Sequence, residues 1–196
     1  MKKIQFTSGC PNNCQYCYEP KEVKQVLPYN YPLLEKEKEF QILDMNFLAN
    51  PDADMILKTI PKRKYELICG VDYRILTQER CNLLKNKGFI KMRWAWDYGF
   101  TQQKTHQKIW KMFTKAGYRS EELSVFIIVN WKTPYVDCVK KLDLLKVWNV
   151  KVNDCCFDGG YKIAKPKYWR IDHIKKYRAM CRKHNQIVRF KIDPEY

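Results

Sequence analysis

Three cysteines lie close together near the start of the sequence, at Cys10, Cys14 and Cys17. Their spacing is Cys-x3-Cys-x2-Cys, on a segment rich in Pro, Asn and Gly that is typical of a loop. Three neighbouring thiolates can hold three irons of a four-iron, four-sulfur cluster, and the fourth iron then keeps an open coordination position. The next cysteine along the chain, Cys69, is remote. The spacing therefore predicts an iron–sulfur cluster with room for a ligand, rather than a closed electron carrier.

A structural zinc site is the alternative for these cysteines. Such a site commonly takes four ligands in two close pairs, whereas this loop offers three. The histidines of the chain, at 106, 173 and 184, lie in predicted helices with polar surroundings, where we expect solvated surface. The chain has nine cysteines, and disulfides are rare in reducing compartments. We therefore predict a metal or catalytic role for the clustered three, and buried packing for the scattered others.

The formal net charge of +16 indicates a polyanionic partner, most directly nucleic acid. Two alternatives stay open. The lysines are spread along the whole chain, which is typical of general composition rather than of a phosphate-reading surface. The same charge would also attract an acidic electron-donor protein such as flavodoxin or ferredoxin.

The sequence has no apolar run long enough to span a bilayer, so no membrane partner is expected. Its start is basic, but no apolar segment follows, as a secretory signal would require. We therefore predict a cytoplasmic protein. The oligomeric state is left open by the sequence.

Apolar runs and helical segments alternate along the chain. The predicted strands are Lys3 to Thr7, Glu39 to Leu43, Tyr65 to Cys69, Phe89 to Trp96, Leu123 to Val129 and Val150 to Phe157. The first predicted helix begins at Asn50-Pro51. Four more are predicted from Thr77 to Gly88, from Thr101 to near Gly117, from Thr133-Pro134 to about Trp148, and from Ile171 to His184. This alternation predicts a single α/β domain over residues 1–196, a partial (βα)6 barrel of parallel strands. An open doubly wound sheet is the alternative.

In either architecture, ligands bind beyond the carboxyl ends of the strands. That rule selects the residues that follow each predicted strand. They are the cysteine loop, Asp44, Asn46, Gly70, Asp72, Asp97, Asn130 and Cys156 to Asp158.

Two arginines and two tryptophans lie in or near the third and fourth predicted strands. Arg93 would be costly to bury alone, so we expect it to form an ion pair. Arg74 and Arg93 are both candidates to bind a carboxylate of a ligand. Trp94 and Trp96 share one face of a strand, and we expect them to pack in the core.

The cysteine motif resembles the defining motif of the radical S-adenosylmethionine (SAM) superfamily. There, Cys-x3-Cys-x-aromatic-Cys follows the first strand, and Cys10, Cys14, Tyr16 and Cys17 match it. The resemblance implies that the three cysteines bind a [4Fe–4S] cluster, whose open iron takes SAM. It also implies that Tyr16 lies near the adenine of SAM.

Weaker matches follow the second strand. Leu43-Asp44-Met45-Asn46-Phe47-Leu48 is similar to an Asp-Asp-x-Phe stretch in some branches of the superfamily. In those branches the acidic residue lies near the amino group of SAM. The resemblance therefore implies a cofactor contact for Asp44, with Asn46 beside it.

Two further matches follow strands four and six. Asp97 is similar in position to an acid that meets the ribose of SAM, and Cys156 falls where the superfamily packs against adenine. Cys155 and Cys156 are neighbours on a strand, so they point to opposite faces. We expect packing for both; the alternative is that one donates a hydrogen atom to a product radical.

The activity implied is reductive cleavage of SAM with an electron from an external donor, followed by hydrogen-atom abstraction from a substrate. The charge favours nucleic acid slightly over a peptide or a small molecule as that substrate. The alternative function is a non-catalytic iron–sulfur or zinc protein that binds nucleic acid.

Overall fold

The computed structural model describes residues 1–17, 24–25, 36–157 and 168–191. The strands in these ranges are β1 (Lys2–Ile4), β2 (Thr7–Ser8), β3 (Lys24–Gln25), β4 (Glu39–Ile42), β5 (Lys64–Leu67), β6 (Arg93–Ala95), β7 (Ser124–Val129) and β8 (Lys151–Cys156). The α-helices are α1 (Ala53–Thr59), α2 (Gln78–Lys87), α3 (Gln103–Lys115), α4 (Tyr135–Val147) and α5 (Ile171–Phe190). Two compact units result: Met1–Trp94 with Lys111–Tyr118, and Ala95–Trp110 with Arg119–Tyr196.

The first unit contains a parallel sheet in the order β1-β4-β5. In its register Ile4 lies beside Ile42, and Ile42 beside Leu67. A short antiparallel pair, β2 with β3, extends from the end of β1. The sheet is held by an aromatic stack, in which the Tyr65 ring lies 5.4 Å from Phe40 and 5.0 Å from Phe89. All three rings are buried, so they exclude water from the sheet face.

Helix α2 begins and ends where the sequence predicts. The Thr77 hydroxyl accepts a hydrogen bond from the Arg80 N–H at 3.2 Å, which satisfies one free donor of the first turn. Gly88 ends the helix in the left-handed region, with φ of 89°. A Cβ at this position would lie 2.1 Å from the Arg63 carbonyl oxygen, so both the backbone angle and the close approach require glycine.

The second sheet has the order β6-β7-β8, and β7 and β8 pair in parallel over six residues each. Within the second unit, the Trp96 N–H donates to the Phe126 carbonyl at 2.8 Å, just after β6. Helix α5 packs on β8, where the Asn185 side chain bonds both the N–H and the carbonyl of Val152. In the described ranges, no helix is both long enough and apolar enough to cross a membrane.

The prediction of an α/β fold with parallel strands is confirmed. The described strands form two three-stranded sheets that are not closed into a barrel, so the partial (βα)6 barrel stays a prediction, as does the single domain over residues 1–196. β6 is shorter than predicted because Lys91 has a φ of 51°, which interrupts the extended chain after Phe89. Helix α5 continues beyond His184 to Phe190.

The structure confirms two expectations about β6 and the residue that follows it. Trp94 and Trp96 are fully buried. Arg93 forms an ion pair with the buried Glu66, which also pairs with Lys91 at 3.2 Å. The ion-pair partner expected for the largely buried Arg93 side chain is therefore present.

The second unit also buries polar and charged side chains whose burial the sequence did not predict. The His106 ring stacks on Trp96 with centroids 4.4 Å apart, and Lys141 Nζ donates to the Trp96 carbonyl at 2.9 Å. His106 and His184 are both buried, and His184 Nε2 bonds the Val150 carbonyl at 2.7 Å. The expectation of solvated histidines is wrong for these two, because each lies on the inward face of its helix.

Burial, with a smaller effect from the nearby Lys141 ammonium, lowers the pKa of His106 to about 3. An unfolded chain binds a proton at this ring below about pH 6.5, whereas the folded chain does not. The unfolding free energy should therefore fall as the pH drops from about 6.5 towards 3. Between pH 7 and pH 5 this one group accounts for about 2 kcal/mol.

The His106→Phe variant keeps an aromatic ring beside Trp96 but cannot titrate. In urea unfolding, its loss of stability between pH 7 and pH 5 should be smaller than that of the unmodified chain by about 2 kcal/mol. Gln107→Ala, an exposed neighbour on α3, should retain the full pH dependence. Identical pH profiles for His106→Phe and the unmodified chain would contradict a buried neutral ring.

Candidate functional site

The cysteine loop begins directly after β2, in the first unit. The Cys17 N–H donates to the Cys14 carbonyl at 3.0 Å, which closes a turn between these two cysteines. Cys10, Cys14 and Cys17 are each partly exposed, and none forms a disulfide. Tyr16, the aromatic residue of the motif, is also partly exposed. The loop thus carries three thiols at the surface of one unit.

Asp44 holds the strand that leads into this loop. One carboxylate oxygen accepts the Phe6 N–H at 2.9 Å, and the other accepts the Thr7 N–H at 2.8 Å and the Thr7 hydroxyl at 2.7 Å. The carboxyl is almost fully buried. Burial raises the pKa of Asp44, and the bonds to Phe6 and Thr7 offset this only in part. Asp44 therefore fixes the chain between β1 and the cysteine loop.

Asp72 connects the cysteine loop to the segment after β5. Its carboxylate accepts the Asn12 amide at 2.8 Å and the Asn46 amide at 3.0 Å. It also takes two hydrogen bonds from the Arg74 guanidinium, at 2.8 and 2.9 Å. Burial opposes ionisation, but the bonds from Arg74, Asn12 and Asn46 outweigh it and lower the pKa of Asp72. The ionised carboxylate is thus the common acceptor for three segments of the unit.

Asn46 reaches from this network to the cysteines. Its side-chain amide lies 3.6 Å from Cys10 Sγ, within the range of a hydrogen bond to sulfur. Asn46 Oδ1 is buried and accepts no hydrogen bond from the described residues. A buried acceptor without a donor is costly, so this oxygen marks a place where a ligand with an N–H or O–H group would be stabilised.

Arg74 supplies positive charge beside the loop. Its hydrogen bonds to Asp72 raise the pKa of the guanidinium, and the negative charge of Cys14 in its thiolate form adds to this rise. Three thiolates with an iron–sulfur core would be an anionic group. The Arg74 guanidinium would offset part of that charge, as outer groups around metal centres do.

The donor set fits an iron–sulfur cluster in kind and number, with three cysteine thiols on one loop. Among the residues that the structure describes, however, no three His, Cys, Asp or Glu side chains lie close enough to hold one metal ion. Cluster binding would therefore have to draw the three thiols closer together. Ligands that converge only when metal binds are common in small metal sites.

Two of the predicted contacts lie in the second unit. The Asp97 carbonyl accepts the Thr133 hydroxyl at 2.9 Å. Burial lowers the pKa of Lys141. The negative charge of the Asp97 carboxylate is among the influences that oppose this shift, because it stabilises the ammonium group. Cys155 is exposed and Cys156 is half-buried at the end of β8. Asp158, also selected at a strand end, lies outside the described residues.

The structure thus joins Asn46 to Cys10 by a hydrogen bond to sulfur, while Asp44 bonds Phe6 and Thr7 just before the cysteine loop. Sequence reasoning missed Asn12, and it included Asp72 only as a residue at a strand end. The hydrogen bond between these two spans sixty residues of sequence. The Asp72-x-Arg74 spacing was a local signal for an ion pair, but nothing in the sequence indicated the amide partners.

Comparison with known proteins adds no family to this description. A scan against models of protein families finds no match to the chain. A search of curated proteins also finds no match.

Removal of the Asp72 carboxylate should loosen the cysteine loop. In Asp72→Ala, the donors on Asn12, Asn46 and Arg74 lose their shared acceptor, and we expect the unfolding free energy to fall by about 1.5–3 kcal/mol. Hydrogen exchange at the Cys17 amide should also become faster.

Glu37→Ala removes the same charge from an exposed position in the same unit. It should change the unfolding free energy by less than about 0.5 kcal/mol and leave exchange at Cys17 unaltered. Equal behaviour of the two variants would show that Asp72 does not hold the loop.

Proposed function

We propose that the protein is a radical SAM enzyme that binds a [4Fe–4S] cluster through Cys10, Cys14 and Cys17. The observation that carries the proposal is the three-cysteine loop after the first strands, together with the network that holds it. Its substrate is proposed to be nucleic acid, in preference to a peptide or a small molecule. An external donor such as flavodoxin or ferredoxin would supply electrons.

When bound, the cluster and SAM would supply one-electron cleavage of a carbon–sulfur bond and abstraction of a hydrogen atom. The residues of the chain would bind and orient them. The thiols of the three cysteines would ligate three irons, and the Arg74 guanidinium would offset part of the charge. Asn46 Oδ1 is suited to accept a hydrogen bond from the amino group of SAM, since it is buried and its own amide is already bonded to Asp72.

In this proposal, Asp44 supports the site mainly by holding the backbone that leads into the cysteine loop. Its hydrogen bonds to Phe6 and Thr7 hold the strand before the cysteines, and the contact with the amino group of SAM stays a prediction. Tyr16 and Cys156 stay proposed neighbours of adenine, and Asp97 a proposed partner of the ribose. Localisation in the cytoplasm likewise remains a prediction.

The second candidate is a non-catalytic iron–sulfur or zinc protein that binds nucleic acid. It is favoured by the net charge of +16, which would account for nucleic-acid binding without any catalysis. Both functions place metal on the same loop. They differ in whether SAM is bound and cleaved.

The test is anaerobic reconstitution with iron and sulfide, followed by addition of SAM and a strong reductant. We expect about four irons per chain and formation of 5′-deoxyadenosine, detected by mass spectrometry. Cys14→Ala should lose both the iron and the product, because two thiols cannot hold the cluster. Cys155→Ser, which alters an exposed cysteine outside the loop, should keep both.

A colourless zinc protein would contradict the enzyme and support the second candidate. A four-iron protein that forms no 5′-deoxyadenosine, with or without added oligonucleotide, would support a non-catalytic iron–sulfur protein. Full iron content in Cys14→Ala would contradict the assigned ligands under either function.

A further inference from the structure

The second unit has a cleft of about 360 Å³ where the residues after β7 meet the start of α5. Four aromatic side chains line it: Trp131, Tyr135, Tyr168 and Trp169. Lys132 and Arg170 also line it, and none of the described residues that line it is acidic. Aromatic walls with basic side chains are the composition that binds bases and phosphates together.

The aromatic walls are held in place by packing. The indole N–H of Trp169 donates to the Thr133 carbonyl at 2.8 Å, and Tyr135 packs edge-on against Trp169 with ring centroids 5.3 Å apart. Tyr168 packs edge-on against Trp131, also at 5.3 Å, and keeps 41% of its surface exposed. A fixed ring with an exposed surface can stack on a planar ligand without a large loss of side-chain entropy.

Positive charge continues from the cleft along α5. Arg170 immediately precedes this helix, and its ion pair with Asp172 is exposed, so the guanidinium remains available to a stronger partner. Six cations of the helix are exposed, against the single acid Asp172. They are Lys175, Lys176, Arg178, Arg182, Lys183 and Arg189, of which Arg178 is ion-paired with Asp154 of β8 at 2.8 Å. Such a row is complementary to a chain of phosphates.

We propose that the cleft and the exposed face of α5 form a binding surface for single-stranded nucleic acid. A base would stack in the cleft against Tyr168 and Trp131, while Lys132, Arg170 and the cations of α5 would contact phosphates. A single strand is favoured over a duplex because only unpaired bases can reach an aromatic wall. The role of this surface in binding the substrate rests on the proposed function. Binding of a single strand to the surface does not itself require the cluster.

The test measures fluorescence anisotropy of fluorescein-labelled single strands of about 20 nucleotides, one of RNA and one of DNA, with the protein free of metal and then reconstituted. Tyr168→Ala should bind about 5- to 150-fold more weakly, the usual effect of losing one stacked base. Tyr168→Phe keeps the ring and should bind as the unmodified chain does. The RNA and DNA strands show which sugar the surface prefers.

A second pair of variants tests the charge. Lys132→Gln with Arg170→Gln should weaken binding and reduce the slope of log affinity against log salt by about 1.4, which corresponds to two lost phosphate contacts. Lys104→Gln with Lys108→Gln removes the same charge from exposed positions on α3. This control should leave both the affinity and the slope unchanged. Because all four substitutions lie at the surface, they keep the test decisive if Tyr168→Ala does not fold.

Three results would overturn the inference. They are no binding of either strand, equal weakening by the cleft and α3 charge variants, and competition by inorganic polyphosphate as strong as by unlabelled oligonucleotide. The last two would indicate attraction by charge alone, as for an acidic protein. If the strands do not bind but 5′-deoxyadenosine still forms, the inference fails, and the proposed cleavage of SAM stands without its proposed substrate. If the strands bind as expected but no 5′-deoxyadenosine forms, the surface is supported and the enzyme is not.

Discussion

The buried carboxylate of Asp44 is the constraint on which the cysteine loop depends. Backbone N–H groups at the end of a strand need acceptors once they leave the sheet, and Phe6 and Thr7 find theirs in this one side chain. Burial raises the pKa of Asp44, so the position is costly and would not persist without those bonds. The carboxylate therefore determines the direction in which the chain enters the loop.

Asp72 constrains the loop from its other side. Asp44 holds the backbone before the cysteines, whereas Asp72 holds Asn12 within the loop and Asn46 beside Cys10. Two anchors on a short segment limit how far the thiols can move, yet leave them partly exposed. If metal binding supplies the free energy that draws such thiols together, the two carboxylates reduce the entropy lost in that step.

The sequence was most informative where a local signal and a tertiary contact agree. The cap at Thr77 and the stop at Gly88 were predictable because capping is a property of neighbouring residues. The burial of His106 was not, because which face of an exposed-looking helix turns inward depends on the sheet that it covers. The bond between Asn12 and Asp72 was equally hidden, since no local pattern pairs an amide with a carboxylate at that separation.

The cysteine loop and the aromatic cleft share no residue and belong to different compact units. Under the proposals, the loop would bind the cluster and the cleft would bind a single strand, so each can be removed by mutation without the other. Because the two sites are separate, the roles of the cations near each site can be distinguished. Arg74 in the first unit is paired with the Asp72 carboxylate, whereas most of the exposed cations of α5 in the second unit face solvent. The Arg74–Asp72 pair is hydrogen-bonded and its carboxylate is largely buried, so salt should weaken it less than it weakens the approach of a polyanion to the exposed cations of α5.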